Sequence, residues 1–309
     1  MGIGSRFRGG PVKVSDSLRV DAFSMHIGDI RDVELDQLHA LSISVRWPHR
    51  AEDWEFLRQT GSGIVALDEI GRVMGSAMWF PHGDEFATVG MVITSPRLQT
   101  NGTGQWLMSR ILDKVAGRRL SLSATRAARR LYLSLDFKPE KTVYQCQGEA
   151  RIAKDFAPLP SDGTVRRLGA DDLAAILRLD AMAFGADRSE LVRRLHEQSI
   201  GYGLFRGADL QAFALCRPFG RGHVVGPVVA SSDGDAIVVV EPHVAHHTGQ
   251  FLRLDTHMES GDFASYVSQC GMLVYDTVLT MSLGNHPSNR NKASAGMAAK
   301  YALASQALG

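Results

Sequence analysis

The sequence predicts an α/β protein of the α+β kind, built from two consecutive units. One observation is a run from residue 90 to residue 108 that reads as a buried strand, a loop with glycines and an amphipathic helix. Another is a composition break at 154–163, which contains Pro158, Pro160 and Gly163 and suits a linker. A strand, a helix and a three-stranded meander precede this break, and the same order returns after it. The chain of 309 residues is long enough for two domains.

Composition and charge are those of a globular protein in a reducing compartment. Hydrophobic residues make up 44% of the chain and charged residues 22%. A net charge of +1 gives no field that would attract nucleic acid or an anionic membrane, so neither partner is expected. The three cysteines are far apart and odd in number, which predicts buried thiols instead of disulfides. The first 14 residues include basic side chains but no apolar run, so we expect no signal peptide and a cytoplasmic protein.

The first unit begins with a strand and a helix. Alternation predicts a strand at 20–26, and apolar residues recur at helical spacing over 29–44, with Asp29 as the candidate N-cap. A segment that contains Trp47 and Trp54 then leads into a predicted short helix. The remaining predicted elements are strands at 63–67, 72–80, 86–93 and 142–147 and a helix at 107–116.

The loop between the central strand and the next helix suits a phosphate group. Gly102 and Gly104 lack side chains, so the backbone can turn sharply and present successive N–H groups to an anion. The helix that follows points its positive end at the same place. The spacing matches neither the Gly-x-Gly-x-x-Gly of dinucleotide-binding folds nor the Gly-Lys-Ser/Thr of P-loops. Residues 99–104 read Gln-x-x-Gly-x-Gly, and we expect them to bind a pyrophosphate.

This hexapeptide, behind a strand that ends at Ile93, resembles the acetyl-CoA loop of the GCN5-related N-acetyltransferase (GNAT) family. A second likeness lies at 122–137, where a strand is followed by a short helix with Tyr132 and then by Leu135-Asp136-Phe137. The family usually has glycine in the middle of this turn, and Asp tolerates the left-handed backbone better than most residues. The resemblance implies two tandem GNAT-like domains, each a mixed, mostly antiparallel sheet flanked by helices.

The resemblance and the composition break together divide the chain into four parts. These are a flexible N-terminus (1–18), a catalytic GNAT domain (19–153), a linker (154–163) and a divergent GNAT-like domain (164–309). In the divergent domain an acidic segment at 231–235 replaces the glycine loop and would repel phosphates, so we expect no CoA binding there.

The second domain repeats the elements of the first. Propensity favours a strand at 236–247, whereas the length, Asp235 as a cap and Gly249 as a stop favour a helix, and the resemblance decides for the helix. The other predicted elements are strands at 203–205, 210–217, 223–230, 251–256 and 274–283, a helix at 262–270, a polar loop at 284–292 and a helical tail.

The resemblance implies a reaction in which acetyl-CoA, as a cosubstrate, gives its acetyl group to a primary amine of a small-molecule acceptor. Backbone groups of the central strand would hold the pantetheine and polarise the thioester. Tyr132 would protonate the departing thiolate, or else it only packs under Phe137. The residues expected to bind acetyl-CoA are Met91, Val92, Ile93, Gln99, Thr100, Asn101, Gly102, Thr103 and Gly104.

A proton must also leave the attacking amine, which requires a base or a chain of waters. Asp84, Glu85 and His82 lie on the turn before the central strand, and we select Glu85, although all three suit a solvated turn. Residues in the segment that covers the acceptor in this fold are expected to bind it, unless they only cap a core. They are Trp47, His49 and Trp54.

Other residue groups have plainer interpretations. Arg126, Arg129 and Arg130 could contact the 3′-phosphate of CoA, but an arginine-rich helix is usually a solvent face. A histidine group at 243–247 lacks a second ligand cluster, so we expect no metal. A module that binds CoA without turnover is an alternative function, and a structural relic that binds no CoA is another. The acceptor is expected to be small because a packed second domain would close one side of a groove, and a homodimer is a further option.

Overall fold

One sheet passes through both halves of the chain. The computed structural model describes residues 16–20, 23–99, 102–154, 163–284 and 297–309, and 14 strands within them belong to this sheet. The strands are β1 (Ser17–Val20), β2 (Phe23–Asp29), β3 (Ser62–Leu67), β4 (Val73–His82), β5 (Phe86–Thr94), β6 (Arg119–Ala124), β7 (Lys138–Glu149), β8 (Thr164–Arg167), β9 (Ile200–Arg206), β10 (Asp209–Phe219), β11 (Gly222–Ala230), β12 (Phe251–Thr256), β13 (Leu273–Leu283) and β14 (Ala299–Ala302). The α-helices are α1 (Leu35–Ser44), α2 (Ala51–Thr60), α3 (Thr103–Lys114), α4 (Arg129–Ser134), α5 (Leu173–Phe184), α6 (Ser189–Glu197), α7 (Asp233–His246) and α8 (Asp262–Gln269). The predictions for 1–15, for 155–162 of the linker and for 285–292 of the polar loop lie outside the described residues.

The strand order confirms a mixed, mostly antiparallel sheet. It runs β1-β2-β3-β4-β5-β6-β13-β7-β12-β11-β10-β9-β8, and β14 lies against β11. The pairs β5–β6 and β11–β12 are parallel, and the other described pairs are antiparallel. Each half therefore contributes one parallel pair to a sheet that is otherwise antiparallel.

The two halves exchange strands at the centre of the sheet. β7 precedes the linker in sequence but pairs with β12 of the second half, from Glu149↔Phe251 to Tyr144↔Thr256. β13 comes from the second half but lies between β6 and β7. The strand predicted at 142–147 to close the first unit therefore joins the two halves. The predicted boundary at 154–163 divides the sequence, whereas the sheet itself is continuous across it.

Buried apolar residues on the two faces of the sheet explain where the helices pack. α3 places Leu107 and Ile111 against β3, β4 and β5. On the opposite face, α1 and α2 share a core with α5 and α6 of the second half, in which Trp54 and Phe213 are fully buried. Burial of a large apolar side chain is worth about 1.5–3 kcal/mol, so this shared core holds the halves together. No helix in the described part of the chain is both long and apolar enough to span a bilayer.

Two predictions for the second half have different outcomes. α7 confirms the helix predicted at 236–247, although its cap is Ser232, whose hydroxyl accepts a hydrogen bond from the N–H of Asp235 at 3.1 Å. The predicted helical tail is wrong, because Ala299–Ala302 form a strand that pairs antiparallel with β11. Pairing with a neighbouring strand outweighs the intrinsic helix propensity of alanine.

Candidate active site

The parallel strands β5 and β6 separate in the middle of the first half-sheet. They pair from Phe86↔Arg119 to Val89↔Leu122, and beyond this point β6 pairs with β13 alone. Met91 has a left-handed backbone with φ of 52°, and its carbonyl accepts a hydrogen bond from the Ser76 hydroxyl at 2.7 Å. A left-handed methionine is uncommon and marks a bulge, which bends β5 away from β6. The result is a cleft that starts at Gly90.

The N-terminus of α3 faces the same region. Gly102 precedes the helix with φ of 78°, and no side chain of a described residue caps the helix there. Thr103 is fully buried, and its hydroxyl has no partner among the described residues. The first backbone N–H groups of a helix are available to an anion when no side chain caps them. This fits the predicted pyrophosphate site, of which Thr100 and Asn101 lie outside the described residues, while Gln99 donates to the carbonyl of Thr94 at 3.4 Å.

Tyr132 lies on α4 and borders the cleft. Its ring packs edge-on against Phe137 at 5.8 Å between centroids, and the chain turns back at Asp136 with φ of 63°. This confirms that Asp takes the left-handed position expected at the turn. Burial raises the pKa of the Tyr132 hydroxyl far above its ordinary value, because the phenolate would lose its hydration. The group therefore stays protonated at physiological pH and can donate a hydrogen bond.

A cavity of about 300 Å³, which we call the cleft cavity, joins residues of both halves. Its wall on the β5–β6 side includes Met91, Val92 and Tyr132. Trp47 and His49, from the segment before α2, also line the cavity. The second half adds Phe219, Arg221, Arg253, Tyr275, Asp276, Ser305, Gln306 and Ala307. Residues predicted to bind acetyl-CoA, residues predicted to bind the acceptor and residues of the second half therefore line the same cavity.

His49, which lines the cleft cavity, is surrounded by aromatic rings. Its ring lies 5.2 Å from that of Phe219 and 5.8 Å from that of Trp47, between centroids. Burial, with a contribution from the charge of Arg253, lowers the pKa of His49 to about 4. The Nδ1 atom is buried and has no partner in the described structure. His49 is thus a neutral imidazole at physiological pH and can accept a hydrogen bond.

Two of the predicted site residues lie elsewhere. Trp54 is a core residue with no exposed surface, and its indole N–H donates to the Ser42 hydroxyl at 2.7 Å, so it does not contact an acceptor. Glu85 is 75% exposed, pairs with Arg119 at 2.8 Å and lies outside the cleft cavity, so its position gives no support to a role as the base. The alternatives on that turn are no closer. His82 is buried against Thr88, and Asp84 pairs with Arg118.

The contributions of the second half were missed by the sequence analysis. Arg253 donates hydrogen bonds to both carboxylate oxygens of Asp255, which lies on the same strand, β12. This strand reaches the cavity because it pairs with β7. Alternating charged and apolar residues at 251–256 indicated a strand, but they did not indicate which strands would pair with it. In the residues that the structure describes, no three potential ligands converge on a metal site.

The second half differs from the first at the corresponding pair of parallel strands. β11 and β12 pair only at His223↔Leu252 and Val224↔Arg253, and β14 fills the opening beyond this point by pairing with Val228. The start of α7 is capped by Ser232, in contrast to the start of α3. The added strand and the capped helix distinguish this half from the first, and the absence of CoA binding here stays a prediction.

Family models described as an acetyltransferase (GNAT) domain match residues 59–139 and again residues 176–294. The chain is a two-domain GNAT protein. Since both models describe acetyltransferase domains, it is an acyltransferase by family. A comparison with curated proteins found no match to this GNAT protein.

Solved structures with the same fold include several GNAT proteins. A candidate acetyltransferase from Pyrococcus horikoshii is 16% identical, with 96% of this chain and 99% of that chain covered and a TM-score of 0.74. A tandem GNAT protein from the clavulanic acid biosynthesis pathway is 13% identical, with 84% and 98% covered and a TM-score of 0.61. A GCN5-related N-acetyltransferase from Sphaerobacter thermophilus is 16% identical, with 85% and 96% covered and a TM-score of 0.57. At these identities the likeness concerns the fold of the GNAT protein.

Proposed function

We propose that this GNAT protein transfers an acetyl group from acetyl-CoA to a primary amine of a small molecule. The observation that carries the proposal is the cleft cavity of about 300 Å³, which is lined by the bulged strand β5 and by Tyr132, Trp47 and His49. The uncapped start of α3 supports acetyl-CoA as the donor, because its backbone N–H groups suit a pyrophosphate. An enclosed space that both halves line supports a small acceptor over an extended peptide.

The proposed reaction requires one proton to reach the leaving sulfur and one proton to leave the attacking nitrogen. The amine nitrogen attacks the thioester carbonyl carbon, and the carbon–sulfur bond then breaks with sulfur leaving as thiolate. We assign Tyr132 as the acid that protonates this thiolate, since its buried hydroxyl keeps its proton. The nitrogen must lose a proton, which passes to water, as the amide forms, and the neutral imidazole of His49 can accept a hydrogen bond from the amine. Backbone groups around Met91 would stabilise the oxyanion.

Acetyl-CoA binding by calorimetry, together with thiol release against a panel of amines, amino acids and aminoglycosides, tests this function. Binding with amine-dependent thiol release supports it. Binding without release favours the CoA-responsive module, in which the second half reports occupancy. No binding of acetyl-CoA or CoA contradicts the assignment of the glycine loop.

A further inference from the structure

A larger cavity of about 640 Å³, which we call the lysine cavity, lies next to the cleft cavity. Ser121 of β6 and Phe184 of α5 contribute to its lining. Ser123 and Gln306 line both cavities, so the two spaces adjoin at these side chains. A volume of this size falls in the range of metabolite-binding sites. The proposed acetyl transfer makes no use of it.

A partly buried lysine, Lys300, lines the cavity. The ammonium group of Lys300 lies 4.7 Å from the ring centroid of Phe184, and no described residue forms an ion pair with it. The nearby Asp180 is already held by two hydrogen bonds of 2.7 Å from Arg188. Burial, with a contribution from Arg188, lowers the pKa of Lys300 to about 7, while Asp180 acts in the opposite direction. An anionic partner in the cavity would favour the charged form of this partly buried amine.

Other groups that line the cavity suit an anionic ligand with polar substituents. Lys141 adds a second positive charge at an exposed position. The acidic residue of the lining, Glu140, accepts a hydrogen bond from the Ser282 hydroxyl at 2.5 Å. The imidazole of His257 donates from Nδ1 to the carbonyl of Thr142 at 2.9 Å, and burial lowers its pKa to about 4. Its Nε2 is therefore an acceptor, which can take a hydrogen bond from a ligand hydroxyl or amine.

We propose that the lysine cavity binds an anionic group, carboxylate or phosphate, of the acceptor, and that Lys300 is the residue that recognises it. The acceptor amine would then extend past Ser123 and Gln306 into the cleft cavity. This inference rests on the proposed acetyl transfer. It narrows the acceptor to a small molecule that carries an amine at one end and an anionic group at the other.

Matched pairs of amines test the proposal directly. The probes are β-alanine, 4-aminobutyrate and 5-aminovalerate with their amides, and O-phosphoethanolamine with ethanolamine. Calorimetry in the presence of CoA measures binding, and thiol release from acetyl-CoA measures turnover. We expect the full-length protein to bind at least one anionic probe about 10-fold or more tightly than its neutral counterpart, as a charge-assisted contact provides. Comparison of the carboxylate probes with O-phosphoethanolamine shows which of the two anionic groups the cavity prefers.

Variants assign the preference to Lys300. K300M keeps the length of the side chain, and we expect it to abolish the preference for the anion and to leave acetyl-CoA affinity unchanged. Lys138 lies on β7 outside the cavity, so the matched control K138M should retain the preference. If K300M does not fold, K141M at the edge of the cavity provides a second test and should weaken anion binding.

Four outcomes separate this inference from the proposed function. Equal affinity for anionic and neutral probes overturns the inference, as does a K300M protein that still prefers the anion. Anionic probes that bind through Lys300 but are not acetylated, while neutral amines are, overturn the assignment to the acceptor. Absence of acetyl-CoA binding overturns the proposed function, whatever the probes do.

Discussion

Gly90 of β5 packs directly against Ala307, so that a Cβ atom at position 90 would lie 2.7 Å from the Cβ of Ala307. This contact joins the bulged strand of the first half to the last residues of the second. The segment from Ser305 to Ala307 lines the cleft cavity, so its position affects the space beside Met91. The second half thus shapes the proposed site through a contact that requires glycine.

Substitution of Gly90 by Ala should therefore disturb turnover more than folding. The new Cβ would also lie 2.9 Å from the Cα of Ala307, so the C-terminal segment must shift. We expect a loss of about 10- to 100-fold in kcat/KM, since small displacements near reacting groups are costly. A307G alone should be close to wild type, and the double variant should recover part of the loss. A fully active G90A protein would show that this contact does not position the site.

Gly102 should be required for acetyl-CoA affinity. Its φ of 78° is left-handed and costs a side chain about 1–2 kcal/mol, although no atom lies within 4 Å of an added Cβ. G102V should weaken acetyl-CoA binding about 10-fold or more by calorimetry. Gly117 has φ of 84° and equally open surroundings, which makes G117V a matched control. Equal acetyl-CoA affinity in G102V, G117V and wild type would contradict the loop assignment.

Tyr132 should act on the chemical step and not on donor binding. We expect Y132F to lower kcat by about 10²- to 10⁴-fold, with acetyl-CoA affinity unchanged. Because burial raises the pKa of the hydroxyl far above its ordinary value, the rate should not fall as pH rises from 7 to 9 through loss of this proton. Tyr202 packs against His243 and lies outside the cleft cavity, so Y202F serves as the control. An unchanged kcat in Y132F would show that the residue only packs on Phe137.

Local patterns predicted much of this fold. The strand expected at 251–256 is observed with the same bounds, because alternation of side chains is a property of the strand itself. The left-handed turn at Asp136 was predicted from the resemblance, since the family usually has glycine there and Asp tolerates that backbone better than most residues. The meander of the first half follows from similar local signals, whereas the helix α7 was predicted only because the family resemblance outweighed a local propensity for strand.

The exchange of β7 and β13 could not be predicted in the same way. Side-chain alternation tells which residues share a face, but it does not tell which strand is the neighbour. The contributions of Arg253 and Asp276 to the cleft cavity depend on this exchange. Trp47 and Trp54 show a related limit. Both are tryptophans near the start of α2, but only the second has its indole N–H satisfied inside the core, and only the first lines the cavity.

The ion pair of Arg188 and Asp180 should contribute strongly to stability. Their side chains are 1% and 2% exposed, and Arg188 also donates to the carbonyl of Gly309 at 2.7 Å. Replacement of Asp180 by Ala leaves a buried guanidinium without its counter-ion, and we expect a loss of about 3–5 kcal/mol in urea denaturation. The surface pair of Arg194 and Glu190 is the control, because E190A should cost less than about 1 kcal/mol. Similar losses in the two variants would contradict this account.

Buried histidines should make the protein sensitive to acid. Burial lowers the pKa of both His243 and His257 to about 4, against about 6.5 in the unfolded chain. Between these values the unfolded state binds more protons, so the free energy of unfolding rises with pH across this window. The stability is complete above about pH 6.5 and is lost as pH falls towards 4, by up to about 1.4 kcal/mol per pH unit for each histidine.

His243 allows the source of this acid sensitivity to be identified. Its Nε2 donates to the carbonyl of Ala214 at 3.2 Å, and glutamine keeps a donor there without a titrating group. In urea denaturation between pH 6.5 and 5, H243Q should show a shallower dependence of the free energy of unfolding on pH than wild type. His26 is exposed on β2, so H26Q should leave the slope as it is. An unchanged slope in H243Q would show that His243 does not contribute to the dependence of the free energy of unfolding on pH.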